Sequence, residues 1–518
     1  MKRNAMLRKI CERKQPWDIA VIGGGATGMG VAVDAASRGL DVVLVEAHDF
    51  GKGTSSRSTK LVHGGVRYLE QGNVPLVMSA LKERGLLRQN APHLVHDLAF
   101  VVPNYSWWEA PFYGIGLKLY DLLAGKYGFG PSKVLSKEET LQRLPALEPD
   151  ELRGGVIYYD GQFDDARLLI HLALTAADHG AALMNYCPAT NLLCDTDGYV
   201  NGLVVRDDQT GEQLRIEARV VINATGVFTD SVRKMADPNA EPLVVTSQGI
   251  HLVFDRSFLK GDTALMVPRT SDGRVLFVIP WHGHAVAGTT DTPVDAPSLE
   301  PRALEEEIDF ILETAARYLT RPPTRADVLS VYVGLRPLVK GEGKTSALSR
   351  DHVIHVDRTG LLTITGGKWT TYRHMAEDCV DHAITLGRLA DKSCITKDLR
   401  IHGYMENSSE LGSLEVYGSD AEAIRALADS SPMLAQQMHP ELPVIAAEIV
   451  WGAREEMACT VEDALARRTR ALFLNAKAAE AMAPECARLL ARELGRDEVW
   501  IAEQVETFRA LAEQYQVV

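Results

Sequence analysis

The chain has 518 residues, 46% hydrophobic and 24% charged, which is ordinary for a folded globular protein of roughly two or three domains. Its 69 acidic against 55 basic residues leave a formal net charge of -14, which weighs against a protein that coats nucleic acid. The 7 cysteines are odd in number, scattered and without a C-x-x-C pair, which weighs against a disulfide framework, a zinc site or an iron–sulfur cluster and fits a reducing compartment.

At the start of the chain Lys2, Arg3, Arg8, Lys9, Arg13 and Lys14 crowd together. They read first as a solubilising, partly disordered tail and second as a tether to anionic lipid. No apolar core of a secretory signal accompanies them, and no run reaches the roughly 18 apolar residues of a membrane span. Any membrane contact is therefore expected to lie on the surface of the bilayer.

Residues 17–22 form a short apolar run ended by glycines and predict a buried parallel strand. Residues 26–38, rich in small side chains, predict a closely packed helix ended by Gly39, and 41–46 predict the next strand. Between them Gly23-Gly24-Gly25-Ala26-Thr27-Gly28 supplies G-x-G-x-x-G in the strand–helix context it requires. Gly23 suits the tight turn, Gly25 the close approach of a pyrophosphate, and Gly28 the packing of helix on strand. The helix N-terminus, with Ala26 and Thr27, offers N–H groups to phosphate. Glu46, at the end of the second strand, is placed for a ribose hydroxyl, which disfavours NADP.

Residues 95–165, rich in aromatics, proline and glycine, read as a cap or substrate-facing insertion. Within them Trp107-Trp108-Glu109-Ala110-Pro111-Phe112-Tyr113 leads into a leucine-rich stretch with lysines at its edge. This is either a cap helix packed on the core or an amphipathic helix lying at a lipid–water interface. A helix is expected over 167–179, and strands over 202–205 and 219–223. The tracts 243–255 and 276–288 predict a second sheet, and Leu304, Ile308, Ile311, Leu312 and Ala315 an amphipathic helix. From about 396 the alanine- and glutamate-rich composition predicts a separate all-α domain.

Two further strands end in glycine turns: 220–223 before Ala224-Thr225-Gly226, and 361–365 before Gly366-Gly367-Lys368. Three such segments exceed what one NAD fold needs, so FAD is the expected cofactor.

The same chain carries Ser55-Ser56-Arg57-Ser58-Thr59-Lys60-Leu61-Val62-His63-Gly64-Gly65-Val66-Arg67-Tyr68-Leu69-Glu70. It also carries Val278-Ile279-Pro280-Trp281, Gly288-Thr289-Thr290-Asp291, Gly334-Leu335-Arg336-Pro337-Leu338 and Gly366-Gly367-Lys368-Trp369-Thr370-Thr371-Tyr372-Arg373. With the fingerprint, over about residues 17–380, it resembles the FAD-dependent, quinone-linked glycerol-3-phosphate dehydrogenases. The resemblance implies an α/β architecture with three parts. A glutathione-reductase-like FAD-binding Rossmann domain takes 17–95, 166–242 and 345–390. A D-amino-acid-oxidase-like substrate or cap sheet domain takes 96–165 and 243–344, and a C-terminal all-α domain takes 396–518. It implies oxidation of sn-glycerol 3-phosphate to dihydroxyacetone phosphate, with hydride passing from C2 to flavin N5. It also implies a peripheral homodimer on the cytoplasmic face of the cell membrane, handing electrons to quinone.

By the same resemblance Arg67, Tyr68, Arg336, Arg350 and Lys368 belong to the substrate pocket, where a dianionic phosphate needs positive charge and donors. His251, with an ordinary pKa of about 6.5, is the expected proton acceptor, and Arg336 stabilises the developing alkoxide. Without the resemblance, a lone histidine in an apolar strand reads as a core residue, and an arginine before proline as a surface ion pair. Thr54, Ser55, Ser56, Lys60, Leu61, His63, Gly64 and Gly65 are expected beside the cofactor. So are Ala224, Thr225, Gly226, Gly367, Lys368, Trp369 and Thr370. No metal site is expected. Three alternatives stand: an oxidase using O2, an amine oxidase of the same fold class, and a flavin-binding protein without turnover.

Overall fold

The computed structural model describes residues 1–66, 69, 73–107, 109–270, 273–340 and 351–517. Arg67, Tyr68, Trp108 and Arg350 lie outside the described residues.

Strand Trp17–Ile22 sits in the middle of the first sheet because both its faces are covered, as its run of apolar residues demands. It pairs in parallel with Val42–Val45 on one side and Gln213–Asn223 on the other. Ala182–Met184 and Leu362–Gly366 extend the parallel array, and His352–Val356 closes the edge antiparallel. Helix Ala26–Ser37 lies against this sheet at a distance only glycine allows. A Cβ at Gly28 would fall on the carbonyl oxygen of Gly23, and one at Gly30 would lie 2.9 Å from the Tyr372 ring.

Among the described residues the second sheet has ten strands, and it lies beside the first. Its longest pairing is Val244–Asp255 against Val328–Val339, which sets Ser247 opposite Arg336 and His251 opposite Tyr332. Strand Val95–Asn104 pairs with Gly154–Phe163 and joins this sheet, so the 95–165 region belongs with the second sheet rather than the first. The two-residue strand Leu61–Val62 also joins it, so the segment that follows Val42–Val45 carries the chain from the first sheet to the second.

The N-terminal basic stretch is not a disordered tail. It folds as helix Arg3–Cys11, buries Ile10, and ties Arg3 to Asp207 at 2.6 Å and Arg13 to Asp41 at 2.7 Å. The C-terminal segment is helical as expected, with a short hairpin of Gln437–His439 and Leu442–Ile445 added. Its apolar faces do not close on themselves. Ile424 and Ala447 join the core of the first sheet, and Phe473 and Leu472 join Tyr332 and Val253 of the second.

Buried ion pairs fix that docking. Arg468 and Arg467 both hold Asp49, at 2.7 and 2.5 Å, and Arg167 holds Glu456 at 2.7 Å. His402 bridges Asp178 of helix Asp165–Asp178 and Asp420 at 2.7 and 3.0 Å. Burial opposes its charge, but those two hydrogen-bonded carboxylates prevail and raise it to about 9. Because the folded value lies above the ordinary one, this stability is present in full below about pH 6.5 and is lost as pH rises through the folded value. His402→Asn is expected to reduce unfolding free energy on the order of 1–2 kcal/mol at about pH 6, and by little at about pH 9.5. Thermal unfolding of both proteins at the two pH values checks this.

Candidate functional site

Three parallel strands end side by side, with Ile22 paired to Asn223 and Asn223 to Thr363. The turns that follow, at Gly23, Ala224 and Gly366, line one cavity of about 710 Å³ that reaches the second sheet. Gly366 and Gly367 have φ of 80° and 73°, successive left-handed positions that side chains rarely adopt. They turn the chain so that Lys368 and then the short helix Trp369–Thr371 face the cavity.

At one end Gly25 precedes helix Ala26–Ser37, whose first turn contains no acidic residue. Ser55 Oγ accepts from the Ala26 N–H at 2.9 Å and caps one donor; the helix end is otherwise set to receive an anion. Glu46 accepts from the backbone N–H of Gly24 at 2.6 Å and of His48 at 2.9 Å, which fixes its carboxylate on the cavity wall. Burial pushes that carboxyl up, and the two N–H groups hold it back toward the ionised form. Each oxygen keeps a lone pair for a ribose hydroxyl.

The wall between the ends is made by the 54–65 segment and by Trp369–Thr371. Thr54 donates to the Leu335 carbonyl at 2.6 Å, Trp369 Nε1 to the Ser55 carbonyl at 2.9 Å, and the His63 N–H to Thr370 Oγ1 at 3.2 Å. Leu61, Gly65, Thr225 and Gly226 also line it.

At the other end stand Arg336, Lys368 and His251. Arg336 is aimed by donating to the carbonyls of Gln248 and Thr290, at 3.2 and 2.9 Å, and to Thr289 Oγ1 at 3.2 Å. Gly249 is the reason it fits, since any Cβ there would collide with the guanidinium. His251 is stacked on Tyr332, with ring centroids 4.8 Å apart, and its Nε2 is bonded to Thr59 Oγ1 at 2.9 Å. Burial first, then Lys60 and Arg336, hold its pKa well below the ordinary 6.5. Against the ordinary value of about 6.5 expected of a free imidazole, the folded chain keeps this ring neutral and a weaker base.

Four expected cofactor contacts do not line the cavity. Gly28 is consumed by the helix–strand approach, and Gly64 packs on Leu81 and Tyr120. Ser56 is fully buried and donates to the Gly51 carbonyl at 2.8 Å. Lys60 points away from the cavity and pairs with Asp165 at 2.8 Å. Conversely, Thr59, Arg274 and Asp291 line the site without having been singled out. Asp291 ends the Gly288-Thr289-Thr290-Asp291 motif and Thr59 lies in the Ser55–Glu70 stretch, but nothing local to Arg274 distinguishes it from other basic residues outside helix and strand.

A family described as FAD dependent oxidoreductase matches residues 18–373, and one described as the C-terminal domain of alpha-glycerophosphate oxidase matches 358–500. The chain is 43% identical over 543 residues to the mitochondrial glycerol-3-phosphate dehydrogenase of Homo sapiens, covering 98% of this chain and 74% of that one. It is 30% identical to the glycerol-3-phosphate dehydrogenase of Bacillus halodurans, solved with FAD, at a TM-score of 0.80 over 99% and 97% of the two chains. A glycerophosphate oxidase structure from Mycoplasma pneumoniae, 18% identical at a TM-score of 0.57, shares the fold.

The residues present fit FAD. A side-chain-free turn opens a helix without first-turn acids, a carboxylate fixed by the Gly24 N–H stands at the end of the second strand, and one cavity runs from there to the basic end. Glu46→Ala is expected to weaken FAD binding about 10- to 100-fold, the worth of a hydrogen bond to a charged group. Fluorescence titration of the apoprotein with FAD measures it.

Proposed function

The chain belongs to the FAD-dependent glycerol-3-phosphate dehydrogenases, and from that premise we propose that it oxidises sn-glycerol 3-phosphate to dihydroxyacetone phosphate and passes the electrons to a membrane quinone. The observation that carries this reading is the convergence of Arg336 and Lys368 with neutral His251 on the cavity that begins at the phosphate turn.

FAD, bound by the turn and Glu46, supplies the hydride acceptor, at N5. Arg336, which also lies 3.4 Å from Asp291, and Lys368 bring positive charge to a phosphate dianion or a developing alkoxide. Arg67, Tyr68 and Arg350 are assigned to the substrate on the family resemblance alone. His251 takes the hydroxyl proton. Its weak basicity suits this sequence of events, because a dianion arriving beside Arg336 offsets the positive field that depresses the imidazole. Thr59, bonded to Nε2, fixes the ring while it waits.

For the acceptor, support comes from helix Glu109–Ala124. Leu117, Tyr120 and Ala124 face inward, while Ile115 and Leu122 are 74% and 77% exposed and Trp107, just before it, 79%. Phe112 and Leu119 widen the same outer apolar face. A helix packed on one side and apolar on the other suits the lipid–water interface. Among the described residues no helix is long and apolar enough to cross a membrane. The proposal includes a homodimer lying on the cytoplasmic face of the cell membrane. Oxygen as acceptor is the second reading, favoured by the oxidase description of the family matching 358–500.

Anaerobic glycerol 3-phosphate is expected to bleach the flavin absorbance, with rapid recovery on adding ubiquinone and slow recovery in air; fastest recovery in air would favour the oxidase. His251→Gln is expected to slow the limiting rate of bleaching about 10²- to 10⁴-fold, the usual worth of a general base. Ile115→Glu with Leu122→Glu is expected to abolish co-sedimentation with anionic-lipid vesicles and leave anaerobic bleaching intact.

A further inference from the structure

Lys60 is fully buried, carries a φ of 63° in the left-handed region, and sits one residue from Thr59 on the cavity wall. Its ammonium donates to both oxygens of Asp165, at 2.8 and 2.9 Å, and to the Ser56 carbonyl at 2.7 Å. Asp165 in turn accepts from the N–H and the hydroxyl of Ser58, at 3.0 and 2.7 Å, and Ser58 Oγ accepts from the Lys60 N–H at 3.0 Å. Thr59 is thus held on both sides, and its hydroxyl is the partner of His251 Nε2.

The same ammonium lies 4.8 Å from the Trp281 ring, 5.0 Å from Tyr332 and 5.2 Å from Phe473. Tyr332 stacks on His251 on one side, meets Phe473 edge-on at 5.4 Å, and donates its hydroxyl to the Ser58 carbonyl at 3.1 Å. Phe473 belongs to the C-terminal helix Ala471–Leu474, and the neighbouring Arg470 pairs with Asp164 at 2.9 Å. A strained backbone held by a buried ion pair, directly behind reacting groups, is where positioning is expected rather than stability alone.

We infer that the Lys60–Asp165 pair, caged by Trp281, Tyr332 and Phe473, is a positioning element: it fixes Thr59 and through it the orientation of His251, and it makes the C-terminal domain a working part of the substrate site. This rests on the proposed role of His251. The charged and titratable groups around the pair are Asp164, Arg470 and Tyr332, and those around the imidazole are Lys60, Arg336 and Tyr332.

Two variants of the FAD-loaded protein test it. Lys60→Met with Asp165→Asn removes both charges together and keeps the volume, so that no buried charge is left alone. Phe473→Leu opens the cage from the C-terminal side without touching the cavity. The readouts are FAD content, the limiting rate of anaerobic flavin reduction by glycerol 3-phosphate, the substrate concentration at half that rate, and the ¹⁵N signals of the His251 ring, assigned by their loss in His251→Gln. The double variant is expected to keep its FAD and half-saturation within about threefold while the limiting rate falls about a hundredfold, the cost of a misplaced reacting group. Its ring is expected to sample both tautomers and to take up a proton at higher pH than in the wild type, since the nearby positive charge is gone. Phe473→Leu, which leaves both charges in place, is expected to lower the rate and mix the ring tautomers in the same way, by less and without the change in proton uptake. An unchanged rate and ring spectrum in either folded, FAD-loaded variant overturns the inference. If the double variant loses its FAD, Phe473→Leu decides alone. If glycerol 3-phosphate fails to reduce the wild type, the functional reading falls, while the ring spectra still decide whether the pair orients His251.

Discussion

Three strand ends must meet in one line with little side-chain bulk at their turns. That constraint organises the molecule. Ile22, Asn223 and Leu362–Gly366 are brought abreast by parallel pairing; glycines follow Ile22 and close the last strand, and Ala224-Thr225-Gly226 follows Asn223. Parallel pairing needs crossovers, and these carry helix Ala26–Ser37 and the whole second sheet to the sides of the line. Once the strand ends are aligned, a helix N-terminus faces one end of the cavity and the basic residues of the second sheet face the other. A dinucleotide whose pyrophosphate meets the helix N-terminus and whose length reaches toward the basic end fits such a space.

The site is basic within an acidic protein. With a formal net charge of -14, the surface as a whole repels anions, yet Arg274, Arg336 and Lys368 share one cavity. Field lines concentrate in such a cleft, so an anionic substrate gains most where it must react and little elsewhere. Burial first, and then the same positive field, keep the His251 imidazole neutral, so the charges that suit a phosphate also bear on the protonation state of this histidine.

The C-terminal helices are joined to the two sheets by charge as well as apolar contact. Asp49 lies three positions beyond Glu46 on the same loop, and two arginines hold it; burial works against its charge, but Arg468 and Arg467 prevail and keep it ionised. Replacing such buried pairs with apolar groups is often neutral for stability, whereas removing one partner alone strands a buried charge, so each pair ties the two segments it joins. That docking carries Phe473 to the back of the substrate wall and leaves the loop after Glu46 no freedom to drift.

Local chemistry was legible in the sequence. Strand Trp17–Ile22, helix Ala26–Ser37, the glycine turns and the carboxylate of Glu46 follow from patterns within a few dozen residues, because backbone conformation and periodicity are local properties. The same patterns read Lys2 to Lys14 as a tail, since the partners that order that helix, Asp207 among them, are far away in the chain. They misplaced Ser56, Lys60 and Gly64, because in a segment that crosses from one sheet to the other neighbouring residues face opposite ways, and only Asp165, Leu81 and Tyr120 decide which. The basicity of His251 was likewise out of reach. It is set by burial, by Lys60 and by Arg336, and burial and long-range charge exist only once the chain has folded.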